Sequence, residues 1–518
     1  MAQEQVHTAP VAQQKFQSTG IAGLDEILGG GFTANRLYLV EGTPGTGKTT
    51  LALQWLLSGA QSGEPGVYVC LSESREEVDE VAQSHGWDLK TITVLEAVVT
   101  DQALGGEEQF SVFQPTDVEL NDTTRQMLAA VEQSRAKRLA IDSLSEMRLL
   151  AQNPYRHRQQ VMALKRYFQR RGCTAMFLDD RSGGGEIDLH LQSAAHGVIQ
   201  LEQRAPQYGT DHRRLRVVKL RGRDFSLGYH DFVIRRGGLD VFPRLVASDH
   251  ATKAAPGRLK SGIPELDDLL GGGPRWGTST LITGPAGTGK SSLAQSFAVA
   301  AADAGFNAAI FAFEESLPTL LARSEGLGLG IERHLQSGRI TIEQVDPGQL
   351  SPGEFAGHVR AAVEGHKGKP ARLIVIDSLN GYLNAMPEER FLIIQLHELM
   401  TYLGMQGVCT FLVMAQRGLL GTATMSPLET TYLTDNALLL RFFEAMGEIR
   451  VALAAIKMRS AKHERSIREY LLGQPRGIRI GKPLREFQGV LTGEPTFIGE
   501  QRSLLDPAAS VRESLPEG

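Results

Sequence analysis

The sequence predicts an α/β protein of two tandem domains, each a mainly parallel sheet flanked by helices. Three observations predict it. The loop "GTPGTGKTT" at residues 42 to 50 returns as "GPAGTGKSS" at 284 to 292. One 242-residue offset separates both Gly20 from Gly262 and Gly42 from Gly284, so whole domains are duplicated and not loops alone. Within each half, short apolar runs alternate with helix-length stretches, the order that builds parallel sheets covered on both faces. A chain of 518 residues also exceeds what one core sustains.

The elements follow in order. Residues 1–15 read as a polar tail. A capped helix closed by glycines, "STGIAGLDEILGGG" from Ser18, is repeated as "SGIPELDDLLGGG" from Ser261. "RLYLVEG" is the strand entering the first loop and "TTLALQWLLSGA" the helix leaving it; "GVYVCLSE" and "RLAIDS" are further strands, "RQQVMALKRYFQRRG" a further helix. "RLAIDSLS" (138–145) is answered by "LIVIDSLN" (373–380), and "VVKLRGR" from Val217 by "AAIKMRS" from Ala454. Their offsets of 235 and 238 reflect small length changes that loops absorb. "ASDHATKAAPG", small and polar with a proline, reads as a linker. The expected organisation is therefore a domain over 16–246, a linker over 247–257, a second domain over 258–497 and a polar tail over 498–518.

Composition narrows the function classes. Hydrophobic residues make up 42% and charged residues 22%, as in globular proteins. The net charge of −5 gives no broad footprint for nucleic acid, which is not expected as a partner. Cys70, Cys173 and Cys409 lie far apart without metal-ligand spacing, as in a reduced intracellular protein. "MAQEQVHTAPVAQQ" lacks the basic start and apolar run of an export signal, and no run of about eighteen apolar residues occurs. The cytoplasm is the expected compartment, with no membrane contact.

Each Gly-rich loop follows an apolar run and opens a helix, the setting of a phosphate cradle. Gly42, Gly45 and Gly47, like Gly284, Gly287 and Gly289, let backbone N–H groups turn toward an anion with no Cβ in the way. Lys48 and Lys290 are expected to neutralise the outer phosphates, and the hydroxyls of Thr49 and Ser291 to hold Mg2+. Thr46, Thr50, Thr288 and Ser292 complete the nucleotide-binding set. Asp142 and Asp377 end apolar strands, where a carboxylate reaches the metal through water. ATP is expected because no Asn-Lys-x-Asp motif that reads guanine occurs.

Hydrolysis needs a group that positions water, or a hydroxyl, in line with the terminal phosphate. "FAFEES" supplies Glu314 and Glu315, at a strand end expected beside the P-loop strand; its counterpart "VCLSES" supplies Ser72 and Glu73. Glu73, Glu314 and Glu315 are the catalytic candidates, and Glu314 is also a metal candidate. Ser72 leaves the first site one carboxylate short, and sequence alone leaves open whether Glu73 sustains turnover there.

The two loops, the paired "IDS" strands, "EES", and the "KLRG" and "KMRS" segments resemble the KaiC family of circadian clock ATPases in the RecA superfamily, from about Ser18 to about Phe497. The resemblance implies two RecA-like domains, a homohexameric double ring, and ATP between neighbouring subunits. It implies that Lys219 and Arg221, and likewise Lys457 and Arg459, reach the ATP of the adjacent subunit. A cation supplied in trans stabilises the transferring phosphoryl group by roughly a thousandfold in rate or more. The resemblance also carries over Ser84 and Leu220 at the first site, and Met458 and His463 at the second, as nucleotide contacts.

The family's second ring phosphorylates a serine and then a threonine of its own chain, just before a "TD" segment. In "TTYLTDN", Thr431 takes the serine position and Tyr432 the threonine position, with Thr430 and Thr434 nearby. A phenol is longer and more acidic than an aliphatic hydroxyl, so Thr431 is the favoured phosphoacceptor. A KaiB-like partner is implied for the first ring, while the tail residues identify no KaiA-like partner. Three alternatives stay open on sequence alone. "TTYLTDN" is an unmodified loop before the strand "ALLLRFF". The chain is a DNA-stimulated recombination or repair ATPase, with "DDRSGGGEIDLHLQ" (179–192) as a ring-facing loop, against which stand its acids and the lack of a basic, aromatic-rich stretch. Or it is a nucleotide-gated scaffold with little turnover, a reading that Ser72 leaves room for and that Glu314 and Glu315 oppose.

Overall fold

The structure is a computed structural model that describes residues 15–97, 115–151, 153–181, 189–205, 209–250, 256–346, 348–365, 368–384, 392–416, 431–445, 447–459, 462–473, 477–491 and 496–498. Most of both expected tails, Thr430, and residues 182–188 of the candidate ring-facing loop lie outside the described residues. The chain divides into two compact units, residues 1–244 with 351–357, and residues 245–350 with 358–518.

In the first unit the sheet strands are β1 (Leu37–Gly42), β2 (Gly66–Cys70), β3 (Thr93–Glu96), β4 (Arg138–Asp142), β5 (Thr174–Asp180), β6 (Gly197–Arg204), β7 (His212–Leu220), β8 (His230–Arg235) and β9 (Gly238–Phe242). Their order is β3, β2, β4, β5, β1, β6, β7, β8, β9. The strands from β3 to β6 in that order pair in parallel, and the last three continue antiparallel. Parallel strands are covered on both faces, which is why they read as unbroken apolar runs. Leu37 and Leu39 of β1 enter one core while Tyr38 and Val40 enter the other, as alternation along a strand requires.

The second unit repeats the plan with β10 (Ser279–Gly284), β11 (Ala308–Ala312), β12 (Ile340–Gln344), β13 (Leu373–Asp377), β14 (Cys409–Ala415), β15 (Asn436–Ala445), β16 (Glu448–Met458), β17 (Ile467–Gly473) and β18 (Gly477–Pro483). The order is β12, β11, β13, β14, β10, β15, β16, β17, β18, the first sheet's order with each label raised by nine. Both units are RecA-like α/β domains. Helices α1 (Lys48–Gln61) and α2 (Arg75–His85) in the first unit correspond to α4 (Lys290–Asp303) and α5 (Leu317–Gly326) in the second; a short helix α3 (Leu189–Ala194) precedes β6. The apolar side of α1, including Leu51, Trp55 and Leu56, packs into the core beneath the P-loop. Among the described residues no helix is long and apolar enough to cross a membrane.

Candidate functional site

The carboxyl ends of β1, β4 and β5 meet at the first cradle, since parallel strands bring their ends to one edge of the sheet. Gly47 enters α1 at φ 95°, and a Cβ there would stand 2.5 Å from Ile234 Cδ1. Thr46 is fully buried, and both its hydroxyl, at 2.8 Å, and its backbone N–H, at 3.3 Å, donate to the Thr43 carbonyl, so the residue braces the loop. Lys48 Nζ donates to the carbonyls of Gly42 and Thr43, both at 3.1 Å, and pairs with Asp180 Oδ1 at 2.6 Å. Thr50 is buried in the first turn of α1.

Thr49 and Tyr68 both donate to Asp142 Oδ2 at 2.7 Å. Burial pushes the Asp142 carboxyl above its ordinary range, and those two hydrogen bonds oppose the shift. Glu73 is also pushed up, by burial first and then by Asp142, Glu77 and Asp180, with Lys48 opposing. Among the described residues its buried Oε2 has no hydrogen-bond partner. The buried hydroxyl of Ser143 likewise has none.

The second cradle repeats the backbone and changes the side chains. Gly289 opens α4 at φ 86°, Thr288 donates to the Pro285 carbonyl at 2.9 Å, and Lys290 donates to that carbonyl at 2.7 Å. Burial draws Lys290 down, with Asp377 and Glu314 opposing. Burial pushes Asp377 up, while its hydrogen bond with Ser291 and the charge of Arg323 act against that. Ser378 donates to Glu314 Oε1 at 2.5 Å. Arg323 grips Glu315 with two nitrogens, at 3.0 and 2.5 Å, and donates a third bond to Ser292 Oγ at 2.8 Å. The peptide bonds following Asp142 and Asp377 are both cis.

One expectation is corrected. The strands that lead to Glu73 and Glu314 do not lie beside their P-loop strands, because β4 and β5 separate β2 from β1, and β13 and β14 separate β11 from β10. The acids still face the cradle lysines, since all these strands end at the same edge. Sequence reasoning missed Tyr68, Asp180, Ser143, Ser378 and Arg323. Asp180 ends an apolar strand as Asp142 does, and that shared signal could have identified it. Arg323 carries no such signal: it sits two turns into α5 and meets Glu315 only because the helix folds back over the cradle.

The basic residues lie away from their own cradles. Lys219 donates to the Gln192 carbonyl, Arg221 to that of Ser193 at 2.7 Å and Lys165 to that of Ala194 at 2.6 Å, so three cations gather on the last carbonyls of α3. Such carbonyls have no partners within the helix and attract cations. Lys457 donates to the Thr434 carbonyl, and Arg459 lies 3.6 Å from Asp435. Leu220 and Met458 are buried in the two cores. Ser84 is exposed and donates to Val81 O at 2.7 Å, and His463 is half-buried. Thr431 opens a 3-10 turn, Thr431–Leu433; Tyr432 in it is 54% exposed, and Thr434 just beyond is fully buried.

The residues fit a divalent cation carried with phosphate. Burial disfavours the charged forms of Asp142 and Asp377, each beside a hydroxyl and a cradle, and Glu73 keeps a buried oxygen without a partner among the described residues. Among the described residues no group of three His, Cys, Asp or Glu side chains forms a protein-only cage. A cation here would complete its shell with phosphate and water, as Mg2+ does.

A duplicated sheet with a P-loop lysine and a strand-end aspartate at each carboxyl edge defines a tandem P-loop ATPase. The family profile described as "ATPase: KaiC" matches residues 17–246 and again 259–485. The chain belongs to the KaiC family of ATPases. It is 28% identical over 491 residues to the circadian clock oscillator protein KaiC of Parathermosynechococcus lividus, covering 93% of this chain and 88% of that protein. It is 28% identical over 510 residues to the protein of the same name from Synechococcus elongatus, covering 96% of each.

Proposed function

We propose that this ATPase binds ATP with Mg2+ in both domains, assembles as a homohexameric double ring, and phosphorylates its own Thr431 in the second domain, acting as a clock-type regulator. The observation that carries the reading is the bond from Lys457 to the Thr434 carbonyl, which ties a basic side chain to the backbone just beyond the turn that bears Thr431. A basic side chain anchored beside this turn can be presented, with the turn, to nucleotide on a neighbouring subunit. Lys219 and Arg221 serve the first ring in the same way.

Thr49 with Asp142, and Ser291 with Asp377 and Glu314, would hold the Mg2+, which supplies charge neutralisation to the phosphates. In the second domain Glu314 takes the proton of the attacking hydroxyl. The Thr431 oxygen then bonds to the terminal phosphorus as the bond to the ADP oxygen breaks, and ADP departs. With water in place of Thr431, the same steps give hydrolysis. Glu73 takes that role in the first domain, since Glu315 is committed to Arg323 and, among the described residues, no arginine grips Glu73. Tyr432 is exposed but reaches further than threonine, and the buried Thr434 is withdrawn from the list of acceptors. Phosphothreonine carries about −1.5 to −2 charges, enough to alter contacts at a subunit boundary and report phosphorylation as a change of shape. A KaiB-like partner is part of this reading.

Mass spectrometry of the full chain after incubation with ATP and Mg2+ is expected to find phosphate on Thr431, lost in Thr431→Ala. Active hydrolysis with every hydroxyl of residues 430–434 unmodified would remove the kinase reading, and hydrolysis stimulated by single-stranded DNA would replace it with the repair reading.

A further inference from the structure

The two cradles share a loop but not a counter-ion. Gly42 of β1 is the register partner of Asp180 in β5, whereas Gly284 of β10 is the partner of Ala415 in β14. Asp180 therefore stands over the first P-loop lysine at 2.6 Å, whereas among the described residues the second lysine has only the Pro285 carbonyl and no ion pair. We propose that Asp180 is a competing counter-ion, a positioning residue that pairs with Lys48 and that phosphate must displace.

The argument is electrostatic. Lys48 is 7% exposed and has two carbonyls and one carboxylate around it, so the ion pair is its only charged partner among the described residues. Nucleotide needs that cation for its outer phosphates. Once Lys48 turns to them, Asp180 is left near Asp142 and Glu73, whose charges it already opposes, and near the incoming anion. Asp180 is 34% exposed, so it can turn toward water, and the competition is finite. The outcome is a first site that binds nucleotide more weakly and releases it more readily than its loop alone dictates. The handicap is greater for ATP than for ADP, because the lysine serves the outer phosphates. The second cradle has none. One fold thus carries two sites of different occupancy at one ATP concentration.

This inference rests on nucleotide occupying the first cradle, and the test separates the two. In the full chain carrying Lys290→Ala, so that only the first cradle binds, affinity is measured with a fluorescent ATP analogue and with ADP as competitor. Asp180→Asn is expected to tighten ATP roughly two- to fivefold, the scale of a partly exposed ion pair, and ADP by less. A merely structural aspartate would weaken both. Ala415→Asp in a Lys48→Ala chain is expected to weaken the second cradle by a similar factor, and decides the matter if Asp180→Asn fails to fold in a melt without nucleotide. Unchanged or weaker ATP binding in folded Asp180→Asn overturns the proposal. No binding at all to the first cradle with Asp180 intact overturns the nucleotide reading and this inference with it.

Discussion

Ser378 donates its hydroxyl to Glu314 at 2.5 Å, and among its described residues the first domain has no such pair. Ser143 occupies the place of Ser378, but Ser72 stands where Glu314 would be, and the Ser143 hydroxyl is left buried without a partner. An orphaned hydroxyl of this kind costs about 1–3 kcal/mol of desolvation. In the proposed mechanism the same exchange leaves the carboxylate role of the first domain to Glu73.

Single carboxylate changes are expected to separate the three acids. Glu73→Gln lowers first-domain hydrolysis about a hundredfold, Glu314→Gln lowers second-domain hydrolysis as much, and Glu315→Gln lowers it by much less. Phosphate release is read with the other domain silenced by Lys290→Ala or Lys48→Ala. Equal losses for Glu314→Gln and Glu315→Gln would mean that the Arg323 pair opens during turnover.

Arg221→Ala is expected to cut first-domain hydrolysis by about a thousandfold, provided that each finger serves a neighbour. The decisive measurement is a mixture. Protomers carrying Lys48→Ala and protomers carrying Arg221→Ala, each inactive in the first domain alone, recover activity when co-assembled, because some seams unite an intact cradle with an intact finger. A mixture as inactive as its parts would place Arg221 in its own subunit's site or outside catalysis.

Acid is expected to weaken the first domain through His196. Burial, followed by Arg36, Arg221, Lys165 and Lys219, pushes this imidazole down from 6.5 to about 4, while its ring packs edge-on to Tyr38. The folded state therefore takes up the proton less readily than the unfolded chain. Its contribution to stability is intact above 6.5, falls as pH drops toward about 4, and changes no further below. Urea midpoints of the full chain at about pH 7 and about pH 5 are expected to differ less in His196→Gln than in the parent chain. An identical difference in both would assign the acid sensitivity to other groups.

Much of this architecture is legible along the chain. Glycines at left-handed positions such as Gly47 and Gly289, apolar runs ending in Asp142 and Asp377, and the constant offset between the halves are local demands of the backbone, and local demands leave a local pattern. The strand neighbours were not legible. A glutamate two residues past an apolar run can follow any strand of the sheet, and only the pairing shows two strands between β2 and β1 and between β11 and β10.

The sequence by itself determined the duplication, the two cradles, and the hydroxyl and aspartate that accompany each, because their chemistry depends on spacing within one loop or at one strand end. Only the tertiary structure decided which charges are committed and which are free. Asp180 meets Lys48, and Arg323 holds Glu315, because folding lays distant segments side by side, and an ion pair is set by distance in space and not by separation along the chain.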